Sequence, residues 1–182
     1  VPAPGTTVPP FPSPEAGNLA VYMGAREIAA VRDQLRAAGW PADAAVIADF
    51  NSRLAWETEA LRLNSAVVSR GMRALLKDAT KGIYFAAEAD GAVIGQRLIT
   101  YEWSDWRNGY FWWIQSVYVA AKFRSEGVFR TLFGHVQKLA KSRRNVCGLR
   151  LYVEKNNRRA RQAYDRLGMK HTPYEIYETN FR

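Results

Sequence analysis

The chain has 182 residues, of which 48% are hydrophobic and 13% are aromatic. This length supports one well-buried core and is too short for two ordinary domains. The sequence contains no run close to the roughly eighteen apolar residues that a membrane helix needs, and it does not open on a basic region followed by an apolar run. A single soluble, cytoplasmic domain that does not associate with membranes is therefore predicted.

The cysteine and histidine content argues against structural disulfides and metals. Cys147 is the single cysteine, so no internal disulfide is expected, and His135 and His171 lie too far apart for a zinc motif. The formal net charge of +9 is compatible with nucleic acid, a phosphate-rich cofactor or an acidic membrane surface. Since the basic residues are scattered over several predicted helices, the sequence disfavours nucleic-acid binding.

The N-terminal part of the chain differs in composition from the rest. Residues 1–17 are rich in proline and lack helical or strand periodicity, so they predict a flexible leader before a domain at residues 18–182. A short strand is expected at Leu19–Met23. A following helix is predicted with an apolar face of Ile28, Val31 and Leu35. Gly39 and Pro41 are expected to end it. Residues 19–24 and 39–43 resemble a C-terminal piece of tetrapyrrole methyltransferases, which leaves a fragment that binds S-adenosylmethionine as an alternative.

Two further helices are predicted before the pattern changes to strands. Asp43 is placed to cap the first of them, and Glu57 lies at the margin of its buried face. That face consists of Ile47, Phe50, Leu54 and Leu61. The second helix is shorter and is marked by Val68, Met72 and Leu75.

Three strands joined by hairpin turns are predicted next. They lie at Ile83–Glu88, Val93–Glu102 and Tyr110–Val119. Asp90-Gly91 and Asn108-Gly109 are the hairpin signals between them. The third strand is rich in aromatic and β-branched residues, which predicts that it is long and largely buried.

The remaining chain predicts two helices that alternate with two strands. The apolar face of the first helix is Val128, Leu132, Val136 and Leu139. A strand is expected at Leu149–Val153. The second helix carries Ala160, Ala163, Tyr164 and Leu167, and Gly168 is expected to end it. A last strand at Tyr174–Thr179 is expected to close the sheet, and its exposed edge would suit a homodimer.

The loop Arg124–Gly127, between a strand and a helix, predicts a phosphate site. Unpaired N–H groups at a helix N-terminus and the positive end of the helix dipole bind phosphate oxygens, and glycine lets the ligand approach the backbone. A plain structural turn is the competing interpretation, because an Arg-x-x-Gly turn before a helix is common.

Two motifs around this loop resemble the GNAT superfamily of acetyltransferases. Residues 116–119 are similar to the fourth strand of that family, and residues 124–129 to its pyrophosphate loop, Arg/Gln-x-x-Gly-x-Gly/Ala. Residues 151–153 are similar to the following strand, and the helix after it fits the family spacing N-x-x-A-x-x-x-Y-x-x-x-G. The resemblance extends from about Asp43 to the C-terminus.

The resemblance implies a fold and a binding site for acetyl-coenzyme A as acetyl donor. The implied fold is α+β, with a twisted, mixed and mostly antiparallel sheet, helices on both faces, and fourth and fifth strands that splay apart. The implied cofactor-binding residues are Val117, Tyr118, Val119, Arg124, Ser125, Glu126, Gly127, Val128, Phe129, Asn157 and Tyr164. Asn157 is equally well placed to cap its helix.

The resemblance also implies direct transfer to an acceptor amine, which would be a small molecule or a peptide. Tyr164 is then the candidate proton donor to the leaving sulfur. Relatives carry a glutamate general base where Trp113 or Gln115 stands here, so the base must be another group or water. The candidates from the residues are Glu102 first, then Asp105 or Glu57 acting through water, although each is also a plausible surface carboxylate.

Departures from the family pattern keep a second interpretation open. Phe129 stands where the family usually has glycine or alanine, so its ring is expected to point away from the phosphates into the helix packing. Together with Trp113 and Gln115, this departure makes an inactive module that only binds acyl-coenzyme A the alternative to an enzyme.

Overall fold

The computed structural model describes residues 19–22, 41–89 and 92–181. The strands in these ranges are β1 (Leu19–Tyr22), β2 (Ile83–Ala89), β3 (Ala92–Ser104), β4 (Gly109–Val119) and β5 (Val146–Arg150). The helices are α1 (Pro41–Glu59), α2 (Ser65–Leu76), α3 (Val128–Lys141) and α4 (Arg158–Arg166). All of these elements except α4 belong to a first compact unit that ends at Tyr152, and α4 belongs to a second unit that starts at Val153.

The strands form one mixed sheet in the order β1-β2-β3-β4-β5. The three central strands pair antiparallel through two hairpins, whereas β1 on one edge and β5 on the other pair parallel to their neighbours. The antiparallel pairings are the longer ones, as expected when hairpins bring consecutive strands together. The predicted α+β fold with a mixed, mostly antiparallel sheet is confirmed.

Helices pack on both faces of this sheet. Because side chains alternate across a strand, neighbouring residues of β2 and β3 meet different helices. On one face Tyr84 and Leu98 form a buried cluster with Ile47 of α1 and Met72 of α2. On the other face Phe85 contacts His135 of α3, with ring centroids 5.7 Å apart. The sheet is therefore the middle layer of three.

The boundaries of α1 differ from the prediction. The helix begins at Pro41, so Asp43 lies inside it and is not its cap. Proline suits a first helical position because its φ is already helical and its missing N–H would have no partner there. Ala60 adopts a left-handed φ of 53° and follows the last helical residue, so Leu61 lies outside the buried stripe and is 49% exposed.

Of two strands predicted near the C-terminus, one forms with shifted bounds and the other is wrong. The strand predicted at Leu149–Val153 is β5, which runs from Val146 to Arg150, because only this segment finds pairing partners on β4. No strand forms at Tyr174–Thr179, whose large apolar side chains are exposed in the described part of the second unit. An alternating apolar pattern needs a neighbouring strand to become a strand itself.

Other predictions lie outside the described residues. These are the leader at residues 1–17, the helix with Ile28, Val31 and Leu35, and the Asp90-Gly91 turn. Within the described ranges, no helix is both long enough and apolar enough to cross a membrane.

Candidate functional site

The C-terminal half of β4 is paired on one side only. Along most of its length β4 pairs with β3, from Gly109 to Val119. Its pairing with β5, in contrast, covers only Tyr110 to Trp113. Within the described residues, positions 115–119 of β4 therefore make no backbone pairing with β5. Backbone groups that no strand uses can pair with an extended ligand.

A β-bulge interrupts β4 at the start of this open half. Gln96 pairs with Tyr118 and Leu98 with Gln115, so Arg97 of β3 faces two residues of β4, Ser116 and Val117. Ser116 takes a left-handed φ of 48°. A bulge re-aims the backbone and side chains around it, and a left-handed non-glycine residue costs on the order of 1–3 kcal/mol.

Buried and half-buried polar side chains lie against the bulge on the α1 face. Asn51 of α1 donates to the Tyr84 hydroxyl over 3.1 Å, and Gln96 donates to the Asn51 side-chain oxygen over 2.7 Å. Burial raises the pKa of Tyr84 and outweighs the opposing hydrogen-bond contributions of Asn51 and Ser116, so its hydroxyl stays neutral. We call Asn51, Tyr84 and Gln96 the bulge network.

The loop after β4 leads into an α3 N-terminus that has no side-chain cap. Gly127 is the N-cap residue, with a left-handed φ of 85°, and no side chain caps the first turn. Ser125 is left-handed as well, with a φ of 73°. Unpaired N–H groups and left-handed residues together form a concave anion site. A Cβ on Gly95 would lie 3.2 Å from Val128 Cγ1, so this glycine lets the start of α3 approach the sheet.

Arg124 is engaged within the protein instead of projecting freely from the loop. Its Nε donates to the Val119 carbonyl over 2.8 Å, and its Nη2 pairs with Glu57 Oε2 over 2.6 Å. The Tyr118 hydroxyl donates to the other Glu57 oxygen over 2.9 Å. Burial, followed by the Glu57 carboxylate, raises the pKa of Tyr118. Glu57, Tyr118 and Arg124 thus fasten the C-terminal end of α1 to the end of β4 and to the loop.

The bulky residue of the loop motif is accommodated in the packing. The Phe129 ring lies 6.3 Å from the Phe133 ring, and both rings lie 5.4 Å from the guanidinium of buried Arg97. This is the orientation expected from the sequence, with the ring directed toward the sheet. The aromatic side chain therefore leaves the α3 N-terminus open.

Glu102, the first candidate base, lies beside the closed half of β4. It accepts hydrogen bonds from the Trp113 indole N–H and from Arg150 Nη1, the latter over 2.6 Å. The Arg150 guanidinium also lies 3.6 Å from the Phe111 ring centroid. Both Glu102 oxygens are thus engaged by neighbouring strands.

Asp105 lies farther from the bulge. It opens a short 3₁₀ turn at the end of β3 and accepts the backbone N–H of Trp106 over 2.9 Å. Since this turn precedes Gly109, it is separated from Ser116 by seven residues of β4, on the order of 20 Å at strand spacing. The structure thus places Glu57, but not Asp105, next to the open half of β4.

The two candidate residues of the second unit lie on α4. Asn157 is the N-cap of this helix, and its Oδ1 accepts the Ala160 N–H over 3.0 Å. Tyr164 is half-buried in the same helix, two turns farther on. Gly168 follows with a left-handed φ of 80°, as predicted for the residue that ends the helix.

Sequence reasoning missed the bulge and the bulge network. A serine inside a predicted strand is not a turn signal, so the sequence pattern did not indicate the left-handed backbone at Ser116. The network had a weak signal, because Asn51 lies next to Phe50 on an apolar helix face and Gln96 interrupts an apolar strand. Polar residues at such positions indicate a buried partner.

Comparisons with known proteins identify the fold and the family. Residues 49–169 match the Acetyltransferase (GNAT) family, which is well over half of the chain. The chain is also 44% identical to a possible acetyltransferase from Clostridium difficile 630, with a TM-score of 0.73 over 77% of this chain and 92% of that one. The chain belongs to the GNAT acetyltransferase family. The tetrapyrrole methyltransferase resemblance gains no support from these comparisons.

More distant GNAT-fold structures share the architecture alone. A predicted acetyltransferase from Clostridium acetobutylicum, whose structure contains acetyl-CoA, is 20% identical with a TM-score of 0.61, over 76% of this chain and 90% of that one. A ribosomal-protein-alanine N-acetyltransferase from Brucella melitensis is 17% identical with a TM-score of 0.57, over 74% and 93%. No match was found among curated protein sequences.

Proposed function

We propose that this GNAT protein is an N-acetyltransferase that moves the acetyl group of acetyl-CoA directly to an acceptor amine. One observation carries the proposal: the bulged, one-sided end of β4 runs into an uncapped α3 N-terminus through a left-handed glycine. An extended, amide-containing arm and a pyrophosphate group need these two neighbouring features. The family membership supports the same donor.

The backbone supplies most of the proposed donor site. Val117 and Val119 offer strand-like backbone groups to the pantetheine arm, although the Val119 carbonyl already accepts from Arg124. The N–H groups around Gly127 hold the pyrophosphate. Arg124 contributes through the loop, since its guanidinium is already bound to Glu57 and to the Val119 carbonyl. Asn157 caps its helix and is proposed to contact the donor through a remaining polar atom.

The proposed chemistry is a single displacement. The acceptor nitrogen forms a bond to the thioester carbon, the carbon–sulfur bond breaks, and the Tyr164 hydroxyl gives its proton to the leaving sulfur. Polarisation of the thioester carbonyl by a backbone N–H of the bulge would stabilise the developing negative charge on oxygen.

The proton of the acceptor ammonium is proposed to leave through water. Trp113 and Gln115 hold no basic atom, and both are engaged, with Trp113 donating to Glu102 and Gln115 donating to Thr100 over 2.6 Å. Glu57 and Glu102 are each paired with an arginine. We assign these two carboxylates to attracting the cationic acceptor and to holding the site.

Calorimetric titration with acetyl-CoA, followed by thiol release across a panel of amines and short peptides, tests this function. Binding together with thiol release for one acceptor supports the enzyme and begins to define its substrate. Binding without release across the whole panel would favour the inactive acyl-CoA-binding module, for which the absence of a basic atom at Trp113 and Gln115 is the motivating observation. A failure to bind acetyl-CoA would contradict both.

A further inference from the structure

Ser116 has a left-handed backbone conformation, which is strained for a residue other than glycine. A non-glycine residue in this region persists only where its neighbours overdetermine its conformation. The ladder to β3 does not do so alone, because Arg97 faces two residues at this point. Additional contacts must therefore fix the bulge.

The bulge network supplies those contacts from three different elements. Asn51 comes from α1, Tyr84 from β2 and Gln96 from β3. Gln96 Nε2 lies 3.5 Å from the Ser116 carbonyl oxygen while it donates to Asn51 Oδ1 over 2.7 Å. Asn51 in turn donates to the Tyr84 hydroxyl over 3.1 Å. The network thus contacts the Ser116 backbone through Gln96, which Asn51 links to Tyr84.

Burying these polar side chains costs free energy that apolar side chains would not. Gln96 is fully buried, and Tyr84, which is 2% exposed, belongs to the apolar cluster with Ile47, Met72 and Leu98. Gln96 Oε1 has no hydrogen-bond partner among the described residues. Because an incompletely paired buried polar group costs free energy, apolar side chains of similar shape would suit a purely structural role at least as well.

We propose that Tyr84, Gln96 and Asn51 are positioning residues for acetyl transfer, which hold the Ser116 bulge and so fix the direction of the Val117 backbone at the thioester. The inference rests on the proposed function, and these residues touch neither donor nor acceptor. Catalysis through preorganised backbone donors depends on placement to a fraction of an ångström, so a loosened bulge slows the chemical step more than it weakens donor binding.

The test uses two substitutions that keep volume and remove hydrogen bonds. Tyr84→Phe removes the hydroxyl that accepts from Asn51, and Gln96→Met removes the amide that donates to Asn51 and lies near the Ser116 carbonyl. The matched control is Tyr101→Phe, which removes a hydroxyl from a half-buried tyrosine of β3 that packs against Trp112 with a centroid distance of 6.1 Å.

Amide hydrogen exchange of a peptide spanning residues 112–119 is measured in the full chain, together with kcat and KM for acetyl-CoA using the best amine of the panel. We expect exchange about threefold or more faster in both network variants and unchanged in the control. We expect kcat to fall about tenfold, as for about 1.4 kcal/mol of lost transition-state stabilisation, with KM for acetyl-CoA within about twofold.

The outcomes separate this inference from the proposed function. Unchanged exchange in Tyr84→Phe and Gln96→Met would show that the network does not hold the bulge. Faster exchange with unchanged kcat would show that the bulge is held but does not position the reaction. A wild-type chain that fails to bind acetyl-CoA would overturn the proposed function and the catalytic part of the inference, whereas the exchange result would still report on the bulge.

Discussion

Both halves of β4 pair with β3 on one side, but only the N-terminal half pairs with β5 on the other side. The closed half, Gly109–Ile114, pairs with β3 throughout and with β5 from Tyr110 to Trp113. It carries four consecutive aromatic residues. The open half, Gln115–Val119, pairs with β3 alone, contains the bulge, and lies against polar side chains of α1. One half uses its hydrogen-bonding capacity to build the sheet, and the other keeps part of it for a ligand. Substitutions that affect the closed half should therefore lower stability, whereas substitutions that affect the open half should weaken acetyl-CoA binding.

Removal of the Tyr164 hydroxyl should give the largest loss of activity. If Tyr164 protonates the leaving sulfur, Tyr164→Phe should lower kcat by about 10- to 100-fold, at or below the usual range for a general acid because coenzyme A thiolate is a reasonable leaving group. Acetyl-CoA affinity, which depends on the open half, should change by less than about threefold. Steady-state kinetics and calorimetry measure the two. Equal turnover in the variant would remove Tyr164 from the reaction.

Gly127→Val should damage the α3 N-terminus, which follows the open half, without damaging the core. A Cβ at Gly127 has no neighbour within 4 Å, but the residue has a φ of 85°, which a β-branched side chain strongly disfavours. The α3 N-terminus should shift, and the Kd for acetyl-CoA should rise about tenfold, corresponding to about 1.4 kcal/mol.

A helical glycine provides the control for this substitution. Gly134 of α3 also has open space around its Cβ position and lies in the helix interior. Gly134→Ala should raise stability by about 0.5–1 kcal/mol and leave acetyl-CoA binding unchanged. Calorimetric Kd values of wild type and both variants decide the matter, and wild-type affinity in Gly127→Val would remove the loop from the donor site.

Gly148→Ala should damage the closed half without damaging donor binding. A Cβ at Gly148 would lie 2.8 Å from the Phe111 ring, so the substitution overpacks the β4–β5 pairing. The expected loss is about 1–3 kcal/mol of unfolding free energy, which lowers Tm by several degrees. Below the melting range, acetyl-CoA affinity should stay within about twofold of wild type. A large loss of affinity in the folded variant would show that the two halves are not independent.

The sequence predicted the sheet and the loop better than the features that make the open half distinctive. Hairpin signals and aromatic runs located β2, β3 and β4, because these patterns depend on local conformation. The segments Leu149–Val153 and Tyr174–Thr179 were misjudged since strand formation there depends on a partner strand that local pattern does not reveal. The bulge at Ser116 depends on side chains from α1, β2 and β3, which are distant in sequence and meet only in the fold.

The smallest expected effects come from two carboxylates that look alike and lie beside different halves of β4. Glu57 and Glu102 are 39% and 40% exposed, and each accepts hydrogen bonds from an arginine and from an aromatic side chain. Because both pairs are partly solvated, loss of either charge should cost well under about 1 kcal/mol of stability.

Their effects on function should nevertheless differ. Glu57→Gln loosens Arg124, which bonds the Val119 carbonyl at the end of the open half, so KM for acetyl-CoA should rise about threefold. Glu102→Gln disturbs only the contacts with Trp113 and Arg150, so KM for acetyl-CoA should not change. The pH dependence of kcat completes the comparison. If Glu102→Gln abolished the acidic limb of that profile with normal donor affinity, Glu102 would be the general base, and the proposal that the proton leaves through water would be wrong.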